Sequence, residues 1–168
     1  MSDPPDMENG AVRSATLKRD VRRVTVRRVP HEPGVAAKIF SEIGRRNINV
    51  DDIIQGVSDS GRTVTISFMV DAKQADAARA VAERTAQRFA AAEVEVSEEL
   101  ARLRVVGIGM RAHSGVAARL FEALAAENIN IENISTSEVV ISILVPEQDG
   151  ERALQAAHRT FQLEQDPP

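Results

Sequence analysis

The 168-residue sequence contains no cysteine, no tryptophan and no tyrosine, and aromatic residues make up only 3% of it. The absence of cysteine excludes disulfides, thiolate nucleophiles and zinc sites of the cysteine type, and it suits a reducing compartment. So few aromatic residues argue against a nucleic-acid module that stacks bases on exposed rings. Because hydrophobic residues reach 43%, we expect a core that is mainly aliphatic.

Long apolar runs and a strong charge of either sign are also missing. No segment approaches the roughly 20 apolar residues that a membrane-spanning helix needs. The acidic N-terminus MSDPPDMENG is the reverse of a secretory signal. The net charge of −4 gives no general reason to expect binding to nucleic acid or anionic membranes. We therefore expect a cytoplasmic chain with neither nucleic acid nor membrane as a partner.

Signs of catalysis or of a bound metal are equally sparse. His31, His113 and His158 have no cysteine or close pair of carboxylates at ligand spacing. The sequence holds no P-loop, dinucleotide fingerprint or Ser-His-Asp order. We expect no catalytic residue, no metal and no cofactor.

The most informative feature that is present is an internal repeat. GVAAKIF at 34–40 returns as GVAARLF at 115–121, and NINVDDI at 47–53 returns as NINIENI at 128–134. Both pairs have the same offset of 81 residues. A fixed offset without a gap indicates tandem duplication of one fold unit.

Hydrophobic periodicity predicts the elements of each copy. Copy one has a strand around 21–29, a helix over 34–44, strands over 48–57 and 64–70, a helix over 72–92 and a strand at 94–96. Copy two repeats this order over 103–110, 115–127, 129–134, 139–145 and 147–161, and stops before a sixth element. The order βαββαβ predicts an α+β fold of two ferredoxin-like domains, each an antiparallel sheet with helices on one face.

The predicted organisation is a flexible tail over 1–19, a domain over 20–99, a second domain over 100–163 and a tail over 164–168. The second domain is expected to take its last strand from the first copy or from another chain. The basic run from Arg13 to Arg28 is interpreted as an exposed edge strand whose arginines discourage unwanted pairing, in preference to a nucleic-acid site.

The loop before the first helix of each copy is the best candidate for a binding site. Glycine lets the backbone approach a ligand closely, and the amide groups at the start of a helix suit a carboxylate. Asn49 and Asn130 supply amides nearby, and Asp51 and Glu132 are placed to neutralise an ammonium group. This combination predicts an amino-acid site. The alternative, that glycine and asparagine serve only the turns, stays open.

The residues also carry a family resemblance. VTVRRVPHEPGVAAKIF, INVDDIIQGVS, VVGIGMRAHSGVAARLFEAL and NINIENISTSEVVISILVP closely resemble the paired ACT domains of aspartate kinase, over about residues 20–163. The resemblance implies binding of threonine, and with it lysine, which inhibits the first step of the aspartate pathway to lysine, threonine and methionine. It also implies two partners, a second copy of the chain bound through its ACT domains and the catalytic α subunit.

The resemblance is confined to the regulatory half of that enzyme. We therefore expect a chain that is not itself catalytic. It is expected to be a separate β subunit that starts at Met1 or Met7, or a fragment of a longer kinase. Two alternatives are an ACT-domain sensor that regulates another enzyme or a transcription factor, and an enzyme of ferredoxin-like fold such as an acylphosphatase. The latter lacks its phosphate-binding loop here.

The effector contacts that the resemblance implies lie in both copies, where one copy meets another, usually across a dimer. In copy one they are His31, Glu32, Pro33, Gly34, Val35, Ala36, Asn49, Val50, Asp51 and Gln55. In copy two they are Val116, Ala117, Asn130, Ile131, Ser137 and Glu138. His31 replaces a common Asp, Ser114 replaces the usual Pro, and Ala117 replaces the Thr of some relatives. The loss of an acid and a hydroxyl is expected to weaken one effector or to change which amino acid binds.

Overall fold

The computed structural model describes residues 11–90, 92–108 and 115–163. Contacts divide the chain into two compact units. We call them the first module, which contains residues 20–99, and the second module, which contains the described residues of 11–19 and 100–163. No helix in these described ranges is long and apolar enough to cross a membrane.

The first module has the six elements that the sequence predicts for one copy. In chain order they are the second part of strand β1 (Val12–Pro30), helix α1 (Val35–Arg45), strand β2 (Asp51–Val57), strand β3 (Thr63–Asp71), helix α2 (Ala75–Ala86) and strand β4 (Glu93–Val96). A 3-10 turn, Ala72–Gln74, leads into α2. The strands are antiparallel in the order β2-β3-β1-β4.

Alternating apolar side chains explain why these strands share one core. In β1, Val24 pairs with Phe68 and Val26 pairs with Ile66 of β3, and all four side chains are fully buried. Helices α1 and α2 add their apolar faces to the same core. The apolar residues that alternate along the strands and those that recur about every 3.6 residues along the helices therefore pack in one core.

The second module uses the first part of β1 together with the remaining elements. These are strand β5 (Leu100–Gly107), helix α3 (Gly115–Ala126), strand β6 (Asn133–Thr136), strand β7 (Val140–Pro146) and helix α4 (Gly150–Phe161). The strand order is β1-β5-β7-β6, and β7 is antiparallel to both β5 and β6. Leu103, Leu120, Ile143 and Phe161 lie in one core. The predicted α+β class with two similar modules is confirmed.

The predicted flexible tail is wrong for residues 12–19, which form the start of β1. Val12 and Ala15 are buried in the core of the second module, and Leu17 packs against it. The amide of Ile108, directly after β5, donates to the carbonyl of Ala11 at 2.9 Å. The strand that the second copy lacks at its C-terminal end is therefore supplied by residues that precede the first copy.

Other boundaries also differ from the predicted ones: β6 runs over Asn133–Thr136 instead of 129–134, and β5 begins at Leu100 instead of 103. Strand β2 begins at Asp51 because the expected first residue, Ile48, lies buried in the turn after α1. A register irregularity follows between Asp51 and Ile54. Helix α2 ends at Ala86, although further alanines follow at 90–92, because helix propensity alone does not fix where a helix stops.

Candidate functional site

The candidate site is built around the start of helix α1. Gly34 precedes the helix with φ of 89°, in the left-handed region that favours glycine. Within the described chain, no side chain caps this helix and its first turn contains no acid. The first amides of a helix have no partner within the helix, and they lie at the positive end of its dipole. The amide of Val35 donates to the carbonyl of Glu32 at 3.4 Å, so the start of α1 is suited to binding a carboxylate mainly through the neighbouring amides.

These amides border a pocket of about 370 Å³. Its lining consists of residues 30–36, Gln55 of β2 and Val64 of β3. The structure thus brings together seven of the predicted effector residues, His31, Glu32, Pro33, Gly34, Val35, Ala36 and Gln55. Pro30 and Val64 provide apolar surface, while Glu32 and Gln55 provide a carboxylate and an amide.

His31 connects this loop to the turn between β2 and β3. Its backbone amide donates to the carbonyl of Arg62 at 3.0 Å, and its Nδ1 lies 3.0 Å from the carbonyl oxygen of Gly61. Because a carbonyl oxygen only accepts, Nδ1 carries the proton in this arrangement. Two hydrogen bonds from one residue therefore fix the beginning of the pocket loop.

The predicted residues Asn49, Val50 and Asp51 do not line the pocket. The amide of Asn49 donates to Oε1 of Gln74 at 3.3 Å, and Nε2 of Gln74 donates to the carbonyl of Asn47 at 3.3 Å. The side chain of Gln74 therefore holds the segment that leads into β2 in place through two hydrogen bonds. This role of Gln74 was not predictable from the sequence, because 25 residues separate it from Asn49 and no local pattern links the two.

The repeated asparagines have two separate roles. Asn47 and Asn128 have φ of 53° and 56°, and their amides donate to Gly44 and Ala125 carbonyls at 3.0 and 2.9 Å, where α1 and α3 end. Asparagine tolerates this left-handed conformation at helix ends. The left-handed backbone conformation is therefore sufficient to explain why asparagine stands at 47 and 128 and glycine at 34, without a ligand. Asn49 and Asn130 are exposed and stay candidates for ligand contact.

The six predicted contacts of the second module lie outside the described pocket. The side chain of Val116 is buried in the core, and Ala117 and Ile131 pack against it. Asn130 and Glu138 are exposed. Oγ of Ser137 accepts from the amides of Val139 and Val140 at 3.3 and 3.2 Å, in the turn between β6 and β7. His113 and Ser114 lie outside the described residues.

The basic run does not lie on a sheet edge, so that interpretation is wrong. Strand β1 pairs with β3 on one side and with β4 on the other. Instead, several of its arginines pair with acids, and Arg27 donates to Glu95 of β4 at 2.8 Å. This hydrogen bond, with the charge of Arg27, lowers the pKa of Glu95. Arg28 likewise pairs with Glu93.

An arginine in the first part of β1, which belongs to the second module, also pairs with acids. Arg19 donates to Glu147 and to Glu151, both at 3.1 Å, and the bond with Glu147 is the main cause of the raised pKa of Arg19. Much of the basic charge is thus compensated within the fold. In the described ranges, no group of three or more His, Cys, Asp or Glu residues is arranged to hold a metal ion.

Comparison with protein families assigns both modules to one domain type. Models described as "ACT domain" match residues 23–88 and residues 103–161. The first match covers most of the first module, including the pocket. The second covers β5 to α4 but not the N-terminal strand.

Known proteins of similar sequence and structure agree with this assignment. An aspartate kinase of Pseudomonas fluorescens is 41% identical over 98% of the chain, which spans 40% of that protein's length. The regulatory subunit of aspartate kinase from Thermus thermophilus, in its ligand-free form, has a TM-score of 0.82 at 34% identity, over 90% of the chain and 99% of the subunit. A chain from a structure of aspartokinase alpha and beta subunits has a TM-score of 0.81 at 36% identity, over 91% and 100%.

The match to the Thermus subunit is nearly end to end, whereas the match to the longer kinase covers about two fifths of it. The match to the kinase covers 98% of the chain and therefore includes both modules and strand β1. The chain therefore belongs to the family of aspartate kinase regulatory subunits, which are built from paired ACT domains.

Proposed function

We propose that the chain binds an amino-acid effector in the first-module pocket and thereby mediates feedback inhibition of aspartate kinase. The observation that carries this proposal is the uncapped start of α1, which borders a pocket that also contains a carboxylate and an amide. An α-amino acid presents a carboxylate and an ammonium group a short distance apart, and the pocket offers a complementary group for each.

The roles of the lining groups follow from their chemistry. The backbone amides at the start of α1 take the effector carboxylate. The carboxylate of Glu32 and Oε1 of Gln55 take the ammonium group, while Pro30 and Val64 contact the side chain. Threonine is the preferred effector because the resemblance to aspartate kinase regulatory domains implies it, and its methyl group suits the apolar lining of Pro30 and Val64.

Lysine is the second candidate effector. It would bring a second positive charge, and Glu32 is the one carboxylate among the residues that line the described pocket. A desolvated ammonium group needs a partner of opposite charge. Lysine binding at this pocket would therefore require an acid from elsewhere, such as a residue of another copy of the chain.

The regulatory step needs only a difference in affinity. An effector that binds the inhibited state of the kinase better than the active state shifts the equilibrium towards inhibition, and typical coupling energies are about 1–3 kcal/mol. A catalytic α subunit and a second copy of this chain are the proposed partners. Contribution of the second-module residues to the same site stays a prediction, as does a cytoplasmic location.

Titration calorimetry on the full 168-residue chain tests the binding proposal. We expect heat of binding from threonine and weaker or no binding of lysine. Replacing Glu32 with Gln removes a charged partner and is expected to weaken threonine binding about ten- to hundredfold. Glu83→Gln is the matched control, because Glu83 is an exposed acid of α2 that pairs with Arg79 of the same helix.

Two results would contradict the proposal. If neither amino acid produces heat with the folded chain, the effector claim is wrong. If Glu32→Gln binds threonine as tightly as the wild type, the site is elsewhere. Affinity capture from cell extract tests the partner: recovery of an aspartate kinase catalytic chain supports the proposal, whereas recovery of a different enzyme or a transcription factor favours a free-standing sensor.

A further inference from the structure

The turn between β2 and β3 is an ordered element that borders the pocket loop. The amide of Ser58 donates to the carbonyl of Thr63, and the amide of Gly61 donates to the carbonyl of Ser58, both at 2.8 Å. The hydroxyl of Thr63 donates to Oγ of Ser58 at 3.0 Å. Residues 58–63 therefore form a hydrogen-bonded turn to which another segment can be anchored.

The pocket loop holds its shape only partly by itself, through two backbone hydrogen bonds: the amide of Glu32 donates to the carbonyl of Pro30 at 3.0 Å, and the amide of Val35 donates to the carbonyl of Glu32 at 3.4 Å. Gly34 gives the backbone wide conformational freedom, and α1 has no side-chain cap in the described chain. Its connection to the turn is made by His31, through its amide to Arg62 and through Nδ1 to Gly61. The imidazole bond is the one side-chain contribution to this connection that the structure describes.

We propose that His31 is a positioning residue. Its imidazole fastens the pocket loop to the turn at 58–63, so that the amides at the start of α1 are held ready for an effector carboxylate. This inference rests on the proposed function, because it assigns a role to one residue of the same site. Fixing a loop in its binding conformation beforehand lowers the entropy lost on binding.

The chemistry of the contact suggests how to separate positioning from direct binding. The bond to Gly61 uses only Nδ1, so an asparagine, whose side-chain amide nitrogen occupies nearly the same place as Nδ1, retains the donor. Alanine removes it. If the ring instead contacts the effector through Nε2, asparagine and alanine should be equally poor substitutes.

Calorimetry with threonine on the full chain is the first test. His31→Ala is expected to weaken binding about three- to tenfold, the range for loss of one hydrogen bond. His31→Asn is expected to stay within about twofold of the wild type. Equal affinity of His31→Ala and the wild type would overturn the proposal, and so would an asparagine variant as weak as the alanine variant.

A second test needs no effector and separates this proposal from the proposed function. In the ligand-free chain, amide hydrogen exchange at His31 and in the turn should be about threefold or more faster in His31→Ala. It should be unchanged in His31→Asn, and NMR should show the wild-type ring protonated at Nδ1. If threonine does not bind, the effector claim fails, and these ligand-free measurements still decide the role of His31. Unchanged exchange in His31→Ala, or a ring protonated only at Nε2, refutes it.

Discussion

Deleting residues 1–19 should unfold the second module and leave the first module folded. The deletion removes the part of β1 that neighbours β5, including Val12 and Ala15 from the core and Leu17 beside it. The apolar burial lost is about 3–5 kcal/mol. The contact between His158 Nε2 and the carbonyl of Ala15, 3.1 Å apart, is also lost. Together with the lost pairing to β5, these losses approach the lower end of the stability of a small domain, about 5–15 kcal/mol.

Hydrogen exchange measured by mass spectrometry reports on each module separately. In the 1–19 deletion, peptides from β5, β7 and α4 should exchange about 100-fold faster or more, while peptides from β3 and α2 keep their protection. Deletion of residues 1–10 is the control, because it leaves strand β1 (Val12–Pro30) in place. Point variants provide a milder test: Val12→Ala should cost about 1–3 kcal/mol and the exposed neighbour Arg13→Ala much less. Equal protection of β5 and α4 in both deletions would refute the role of the strand.

Three further substitutions test individual features of the fold by thermal or urea unfolding. Gly150→Ala should destabilise the protein by about 1–3 kcal/mol, because the added Cβ would lie 2.8 Å from Cβ of Ala101. The control is Gly44→Ala, where the added Cβ meets no atom outside its own helix within 4 Å, and it should stabilise the protein by about 0.5–1 kcal/mol. Asn47→Ala should cost about 1–2 kcal/mol and Asn47→Gly much less, because φ is 53°. Since the pKa of Glu95 is lowered from 4.5, its contribution is present above that pH and is lost as pH falls through the lowered value. Glu95→Gln should therefore lessen the loss of stability below about pH 4.5; identical acid unfolding of both proteins would contradict this.

Much of the fold follows from the sequence, because its signals are local and occur twice. The duplicated GVAA and NIN segments place α1 and α3 correctly, and alternating apolar residues locate β3 and β7. The strand at 12–19 escaped detection because Ala11 and Ala15 are weak strand formers and follow a segment rich in proline and acid. Its strand conformation depends on β5, about 90 residues later, and no local pattern encodes that pairing.

The candidate site was predictable to a similar extent. Glycine before a helix indicates the amide-lined loop, and Gln55 lines the same pocket, while its contact with an effector stays a prediction. The roles of Gln74 and Gly61 were not predictable, because each depends on a hydrogen bond to a residue at least 25 positions away. The structure also distinguishes two asparagines that look alike in the repeat. The left-handed backbone of the turn accounts for Asn47, whereas Asn49 stays a candidate for ligand contact.

Backbone NMR of the full chain during titration with threonine tests the central claim most directly, because it locates the effector as well as detecting it. We expect the largest shift changes at the amides of residues 34–37 and in the side-chain amide of Gln55, and small changes in α2 and α4. Lysine at the same concentrations should produce smaller changes at these positions. Saturable shifts confined to other residues, or no shifts at millimolar threonine, would contradict the assignment of an amino-acid effector to this pocket.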